Sequence, residues 1–263
     1  YYLIKFFLIC FKIDCDIIIS FHPNIYINYI LKLIFIYIRK KEVLIPGEGY
    51  LKDIVDPSFS HYKRGLNHYK DVMPQFFNSL IVKLNYKPIA NNVSFENPSL
   101  IVYKNDLENC IKKYNLPQNS FIAIFPGGGS NIGEKTSSRR YPYMDVVIID
   151  AFKEDLNKPK LVLLGSKDDL ILCNKLLFNL SLNGFNVTNL CCKTNISEYI
   201  SILFLSSFVI TNDSSALHIS SALKKPFIVF FGPTDYREML YISNKNSYVF
   251  YSNKDPVYFG KLK

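Results

Sequence analysis

Tryptophan is absent from this 263-residue chain, and its six cysteines make no C-x-x-C pair. No histidine stands at finger-like spacing from Cys10, Cys15, Cys110, Cys173, Cys191 or Cys192 either, which removes the usual zinc-site patterns. A chain of this length without a regular cysteine framework reads as a reduced, cytosolic protein. A long apolar run is also missing. Tyr1 to Ile38 is rich in apolar residues, but Lys5, Lys12, Asp14, Asp16, His22 and Lys32 interrupt it. No uninterrupted stretch reaches the roughly 18 residues that a spanning helix needs. No small-residue cleavage site follows the apolar segment, so a signal peptide is not indicated. Buried helix, strand and helix is the better reading of this region, with a peripheral membrane contact as the lesser one.

Dense basic stripes are lacking too, although the formal net charge is +9. Apart from Arg39-Lys40-Lys41 and Arg139-Arg140 the cations are scattered, and no nucleic-acid-binding signature occurs, so no nucleic-acid partner is expected. A basic balance of this kind also suits phosphorylated ligands or an anionic surface. The chain has ordinary globular proportions, 49% hydrophobic and 20% charged.

Asp16 to Ser20 and Val43 to Ile45 read as short buried strands, and Ile25 to Ile38 and Leu66 to Leu84 as helices. Pro88, Pro98 and several Asn residues then break the pattern, which places a domain boundary near residue 86. Residues 1–86 are thus expected to form one domain and residues 87–263 a second.

The second half alternates regularly. Strands are expected at Phe121–Phe125, Lys160–Leu164, Val187–Leu190, Phe208–Thr211 and Phe227–Phe231. Between them, helices are expected from Pro142 to about Lys153, from Asp168 to about Leu182, at Ile196–Leu205 and at Ser215–Leu223. That alternation implies an α/β fold, a parallel sheet with helices on both faces. Ligands bind such sheets beyond the carboxyl ends of the strands. The loops to inspect begin at Pro126, Gly165, Asn212 and Gly232.

The first loop holds Gly127, Gly128 and Gly129. Consecutive glycines let backbone N–H groups converge on an anion, although a tight turn without ligand would use them equally well. The spacing fits neither the dinucleotide fingerprint nor a Walker loop. Arg139, just before a helix, is placed to reach a diphosphate at the same edge. After the second strand, Asp168 and Asp169 either favour a helix dipole or accept bonds from ribose hydroxyls. Thr211 to His218 is the most informative segment. Asp213, Ser214 and Ser215 lie where a strand becomes a helix, a ready phosphate site. His218 falls one turn beyond Ser214 on the same side. Each feature has a bland explanation in isolation, but all lie at one edge of one sheet.

Taken together, Pro126-Gly127-Gly128-Gly129, Arg139-Arg140-Tyr141-Pro142, Leu164-Gly165, Asn212 to His218, Lys225-Pro226 and Phe231 to Asp235 resemble glycosyltransferase family 9, whose best-known members are ADP-heptose:lipopolysaccharide heptosyltransferases. The resemblance covers about half the chain. It implies a GT-B type enzyme of two Rossmann-like domains, against which the N-terminal one reads as truncated, the chain starting beyond the family's first strand, glycine-rich turn and catalytic-base region. It also implies inverting transfer without a metal or other cofactor. By that likeness Gly127, Gly128, Gly129, Arg139, Asp213, Ser214, Ser215 and His218 would hold the donor diphosphate and sugar. Asp168 or Asp169 would approach the nucleoside. Two departures stand out, Ser215 where many members have Gly and Tyr141 where Trp is usual. The implied partners are a nucleotide-diphosphate sugar and a glycan or lipid-linked saccharide, met in the cytoplasm or at the cytoplasmic face of the inner membrane. The competing readings are a non-catalytic nucleotide-binding remnant of such an enzyme and, further off, a sugar-nucleotide epimerase.

Overall fold

In a computed structural model of the protein, residues 17–19, 31–38, 42–44, 98–117, 119–128, 139–232, 236, 240 and 245–251 are described. The chain divides into two compact units, Tyr1–Phe95 and Glu96–Lys263. In the first, strands β1 (Ile17–Ile19) and β2 (Glu42–Leu44) pair in parallel, and a π-helical stretch runs over Leu33–Ile38. Ile34 and Phe35 in that stretch are fully buried. The expected helix at Leu66–Leu84, Gly129 and the Pro233–Asp235 turn lie outside the described residues.

The second unit is a six-stranded parallel sheet in the order β5-β4-β3-β6-β7-β8. Its strands are β3 (Phe121–Phe125), β4 (Lys160–Leu163), β5 (Val187–Asn189), β6 (Phe208–Asn212), β7 (Phe227–Phe231) and β8 (Tyr248–Tyr251). Helices α1 (Lys104–Tyr114), α2 (Met144–Ala151), α3 (Leu170–Leu182), α4 (Ile196–Leu205) and α5 (Ser215–Ala222) accompany them. The chain starts this sheet at its middle, at β3, and moves outward to β5. It then returns to pair β6 with the other side of β3 and moves outward again to β8. The loops after β3 and β6 therefore leave in opposite directions and open a crevice between the two strands.

The strands read as continuous apolar runs because both faces are covered. Alternate residues of β3 face opposite ways. Phe121, Ala123 and Phe125 join a core with Cys110 of α1, Ile202 of α4 and Leu217 of α5. Ile122 and Ile124 join another with Met144 and Ile148 of α2 and Cys173, Leu176 and Leu180 of α3. Helix α2 begins at Met144 rather than at Pro142, with Tyr143 in the capping position. Asp168 and Asp169 belong to a 3-10 turn, Lys167–Asp169, that precedes α3.

Two elements escape the motif-based reading. One is α1, whose Leu107, Cys110, Ile111 and Tyr114 recur at helical spacing and pack on the first core. The other is the edge strand β8, which adds beside β7 in parallel.

A shared carboxylate ties α1 to α4. Glu198 completes a capping box with Asn195, each side chain accepting from the other's backbone N–H at 2.9 Å. The same carboxylate accepts from Lys113 Nζ at 2.7 Å and from the Tyr114 hydroxyl at 2.9 Å. The hydrogen bond from Lys113, followed by that from the Asn195 N–H, holds Glu198 below its ordinary 4.5.

Two measurements check this description. Ile124→Ala, at a fully buried position of the central strand, should cost about 2–5 kcal/mol in urea unfolding. A depressed carboxylate stabilises the fold above its unfolded pKa, and that contribution disappears as pH falls through the folded value. Glu198→Gln should therefore lower the urea midpoint at pH 7, and the gap from wild type should close well below pH 4.5.

Candidate functional site

The crevice between β3 and β6 is organised around Asn212, the last residue of β6, which is fully buried. Its amide Nδ2 donates to the carbonyl of Pro126 at 2.7 Å and to that of Gly127 at 3.2 Å. Its Oδ1 accepts from the N–H of Tyr141 at 3.1 Å. One side chain thus joins the loop after β3 and the segment before α2 to the carboxyl end of β6. Tyr141 adds a second anchor, lying flat on Phe230 of β7 with centroids 4.4 Å apart and planes 6° from parallel.

The glycine loop is shaped by what lies beside it. Gly127 and Gly128 are buried. A Cβ added to Gly127 would meet Asp169 Cγ at 2.6 Å and Oδ2 at 2.8 Å. One added to Gly128 would meet the Arg139 Cβ at 2.9 Å and its backbone carbonyl carbon at 3.2 Å. These two glycines are required by close packing of neighbouring loops, and that packing puts the backbone of Arg139 against the glycine turn.

Asp169 is 1% exposed. Its Oδ1 accepts from Arg140 at 2.8 Å, and its Oδ2 accepts from the Ser166 N–H at 2.9 Å and the Ser166 hydroxyl at 2.7 Å. Arg140 also donates to the carbonyl of Asp168 at 3.2 Å. A buried carboxylate is costly unless paired and hydrogen-bonded, and here it is both. Between the two aspartates the roles separate: Asp169 fastens the loops after β3 and β4 together, whereas Asp168 is exposed beside it.

At the head of α5, Ser214 is the N-cap and accepts from the Ala216 N–H at 3.3 Å. Thr211 Oγ1 and Ser214 Oγ lie 2.9 Å apart. Asp213 is 3% exposed, whereas Ser215 and His218 are exposed on the helix that follows. The Ser215 hydroxyl lies 3.5 Å from that of Tyr199, a buried phenol whose pKa is raised chiefly by burial. Asp213, Ser214, Ser215 and His218 thus lie in the segment that opens α5, Asn212 ties Pro126, Gly127 and Tyr141 to the strand end before it, and Gly128 packs against Arg139. Asn212, Arg140 and Ser166 do the fastening, and sequence reasoning gave them no role. Their signal is position alone, each lying within two residues of a site candidate.

Among the described residues no group of three or more His, Cys, Asp or Glu is placed to hold a metal ion. Likewise, no helix among them is long and apolar enough to cross a membrane.

Removing the Asn212 amide should detach this edge. Asn212→Ala leaves two carbonyls and one N–H without their partner and should cost about 2–4 kcal/mol in urea unfolding. Trypsin should also cut faster after Arg139 and Arg140 than in the wild type. Asn212→Asp should not rescue, because a carboxylate accepts from Tyr141 but cannot donate to Pro126 and Gly127.

Comparison with known proteins gives this edge a context. The profile of "Glycosyltransferase family 9 (heptosyltransferase)" matches residues 154–257. A lipooligosaccharide heptosyltransferase 2 of Campylobacter jejuni is 32% identical over 83 residues, which is 32% of this chain and 26% of that protein. The chain thus spans about a quarter of the length of this curated relative in the matched region. Among solved structures, the family 9 glycosyl transferase of Veillonella parvula superimposes with a TM-score of 0.55 at 15% identity, over 93% of this chain and 65% of that one. The E. coli heptosyltransferase WaaC with ADP gives 0.52 at 15% identity, over 94% and 70%. At that identity the superpositions speak for the fold, which is α/β of the GT-B type. In sequence, residues 154–257 are similar to glycosyltransferase family 9, and the likeness is carried by the second half of the chain.

Proposed function

We propose that this protein is a glycosyltransferase whose second half binds a nucleotide-diphosphate sugar in the crevice between β3 and β6. The observation that carries the reading is the Asn212 junction. It supports a single anion site by bringing the glycine loop and the Arg139 segment to the strand end from which α5 starts. In this reading the diphosphate lies at the head of α5, where the helix dipole and the N–H groups near Ser214 and Ser215 favour negative charge. Arg139 meets the phosphates, and Gly127, Gly128 and Gly129 are the glycines assigned to the same diphosphate. Asp213 and His218 address the sugar. Asp168, exposed beside the fastened Asp169, is the better candidate for the nucleoside hydroxyls.

The reaction would be an inverting displacement. A base takes the acceptor hydroxyl proton, the oxygen attacks the anomeric carbon from the face opposite the leaving group, and the nucleoside diphosphate departs. Arg139 and the α5 N-terminus would stabilise the charge that develops on the departing diphosphate, so this chain's own donors perform that task without a metal. The acceptor in this reading is a lipopolysaccharide core or lipid-linked saccharide, bound on the side of residues 1–86, with residues 87–263 holding the donor. Such an acceptor puts the reaction at the cytoplasmic face of the inner membrane, where a formal charge of +9 favours an anionic surface. The relatives' heptosyl transfer, and the ADP in one of their structures, make ADP-heptose the first donor to test.

Calorimetry with ADP, UDP and GDP tests the donor half. One nucleotide should bind tightly, and Arg139→Ala should weaken it by about 10- to 100-fold, the loss of a charge-assisted contact to phosphate. Transfer of labelled sugar to acceptor tests the enzyme, and Asp213→Ala and His218→Ala should each abolish it. Binding without transfer would favour a nucleotide-binding module instead. No binding of any nucleotide, or unchanged transfer in both variants, would refute the site.

A further inference from the structure

Three thiols gather behind the loop that follows β4, and the transfer reaction has no use for them. Cys191 and Cys192 are adjacent in sequence, and their sulfurs lie 3.8 Å apart. Cys173 of α3 lies beside Cys191. A Cβ added to Gly165 would meet the Cys191 sulfur at 3.1 Å and that of Cys173 at 3.3 Å. All three are free thiols, with Cys173 and Cys191 buried and Cys192 exposed.

Two features separate this group from ordinary buried cysteines. Cys192 sits at φ 63°, the left-handed region that a side chain adopts at a cost of about 1 kcal/mol. Both cysteines also hold the same loop. The Cys191 thiol donates to the Ser166 carbonyl at 3.2 Å, and the Cys192 N–H donates to the Gly165 carbonyl at 3.0 Å. Ser166 in turn holds Asp169 through its N–H and hydroxyl.

We propose that Cys191 and Cys192 form a vicinal dithiol that a peroxide converts to a reversible disulfide, and that this bond loosens the loop of Ser166 and Asp169. Cys192 is the point of entry because it is exposed. Its sulfur attacks the peroxide, forming an S–O bond as the O–O bond breaks and water is released. The Cys191 sulfur then attacks the sulfenic acid, an S–S bond forms, and the S–O bond breaks to release a second water. Two thiols lose two hydrogens and two electrons, and one peroxide becomes two waters.

Neighbouring Cα atoms are only about 3.8 Å apart across a trans peptide, below the usual disulfide range of about 4.4–6.8 Å, so the ring is strained and readily reduced. The thiol hydrogen that served Ser166 is gone once the bond forms. Closing the ring also demands rotation about the peptide that carries the Cys192 N–H. Burial pushes the Cys191 thiol up to about 11, so ring closure should quicken as the pH rises toward that value.

The test uses the whole chain treated with hydrogen peroxide, alkylated, and digested with trypsin. Cleavage after Lys175 and Lys193 releases Cys191 and Cys192 on one peptide, apart from Cys173. That peptide should lose two hydrogens, resist alkylation, and recover both alkylation sites after dithiothreitol. The exposed-site variant Cys192→Ser should show none of this. Hydrogen exchange should rise about fivefold at the Ser166 and Asp169 amides on oxidation, the effect of losing one hydrogen bond. Two alkylated cysteines, sulfinic acid at Cys192, or a cross-link to the Cys173 peptide would overturn the vicinal bond. Unchanged exchange after the bond has formed would overturn its effect on the loop. Neither readout depends on the donor assignment, so this proposal and the glycosyltransferase reading fail separately.

Discussion

Everything at the carboxyl edge of the sheet hangs on a buried amide. Asn212 ends a strand that is itself paired to β3 and β7, so its position is set by backbone hydrogen bonds on both sides. From that fixed point it satisfies two carbonyls and one N–H of segments that would otherwise have to find other partners. A carboxylate could not replace it, since both donor and acceptor are used. The burial that makes the arrangement costly to break also makes it directional, because an unpaired group there has no water to turn to.

A second fastening lies at Asp169. Asp169 links the loops after β3 and β4, closed over by Gly127 and Gly165, whose hydrogen side chains are what the space allows. Arg140 satisfies one oxygen and Ser166 the other. The charge of Asp169 is thereby spent on architecture. Of the adjacent aspartates, Asp169 is buried and holds the edge together, whereas Asp168 is exposed. The thiols of Cys191 and Cys173 pack behind the same loop, so the chemistry of this edge reaches further into the fold than the motifs alone would suggest.

The alternation of strands and helices from Phe121 to Phe231 was legible because each strand is covered on both faces and each helix on one. The elements lie within about two residues of their expected ends, the helix expected from Pro142 being two residues shorter at each. Helix α1 has apolar residues at helical spacing but no glycine turn beside a strand to mark it as part of the alternation. Strand β8 carries a weak pattern because an edge strand has one neighbour, and its aromatic residues are exposed. The choice between Asp168 and Asp169 could not be made from sequence. Adjacent residues in a 3-10 turn point different ways, and only the positions of Arg140 and Gly127 decide which one turns inward.

By itself, then, the sequence determined the fold class and the sheet edge that holds the candidate site, together with the family resemblance. All of these depend on local periodicity and on residues close together along the chain. Tertiary structure alone decided how that edge is fastened. Asn212 reaches partners 71 and 86 residues away, and Arg140 meets Asp169 across 29. Such contacts are made by the sheet's crossover and carry no signature in the spacing of the residues that form them. The same holds for the thiols, where Cys173 and Cys191 come from a helix and a loop that meet only because β4 and β5 lie side by side.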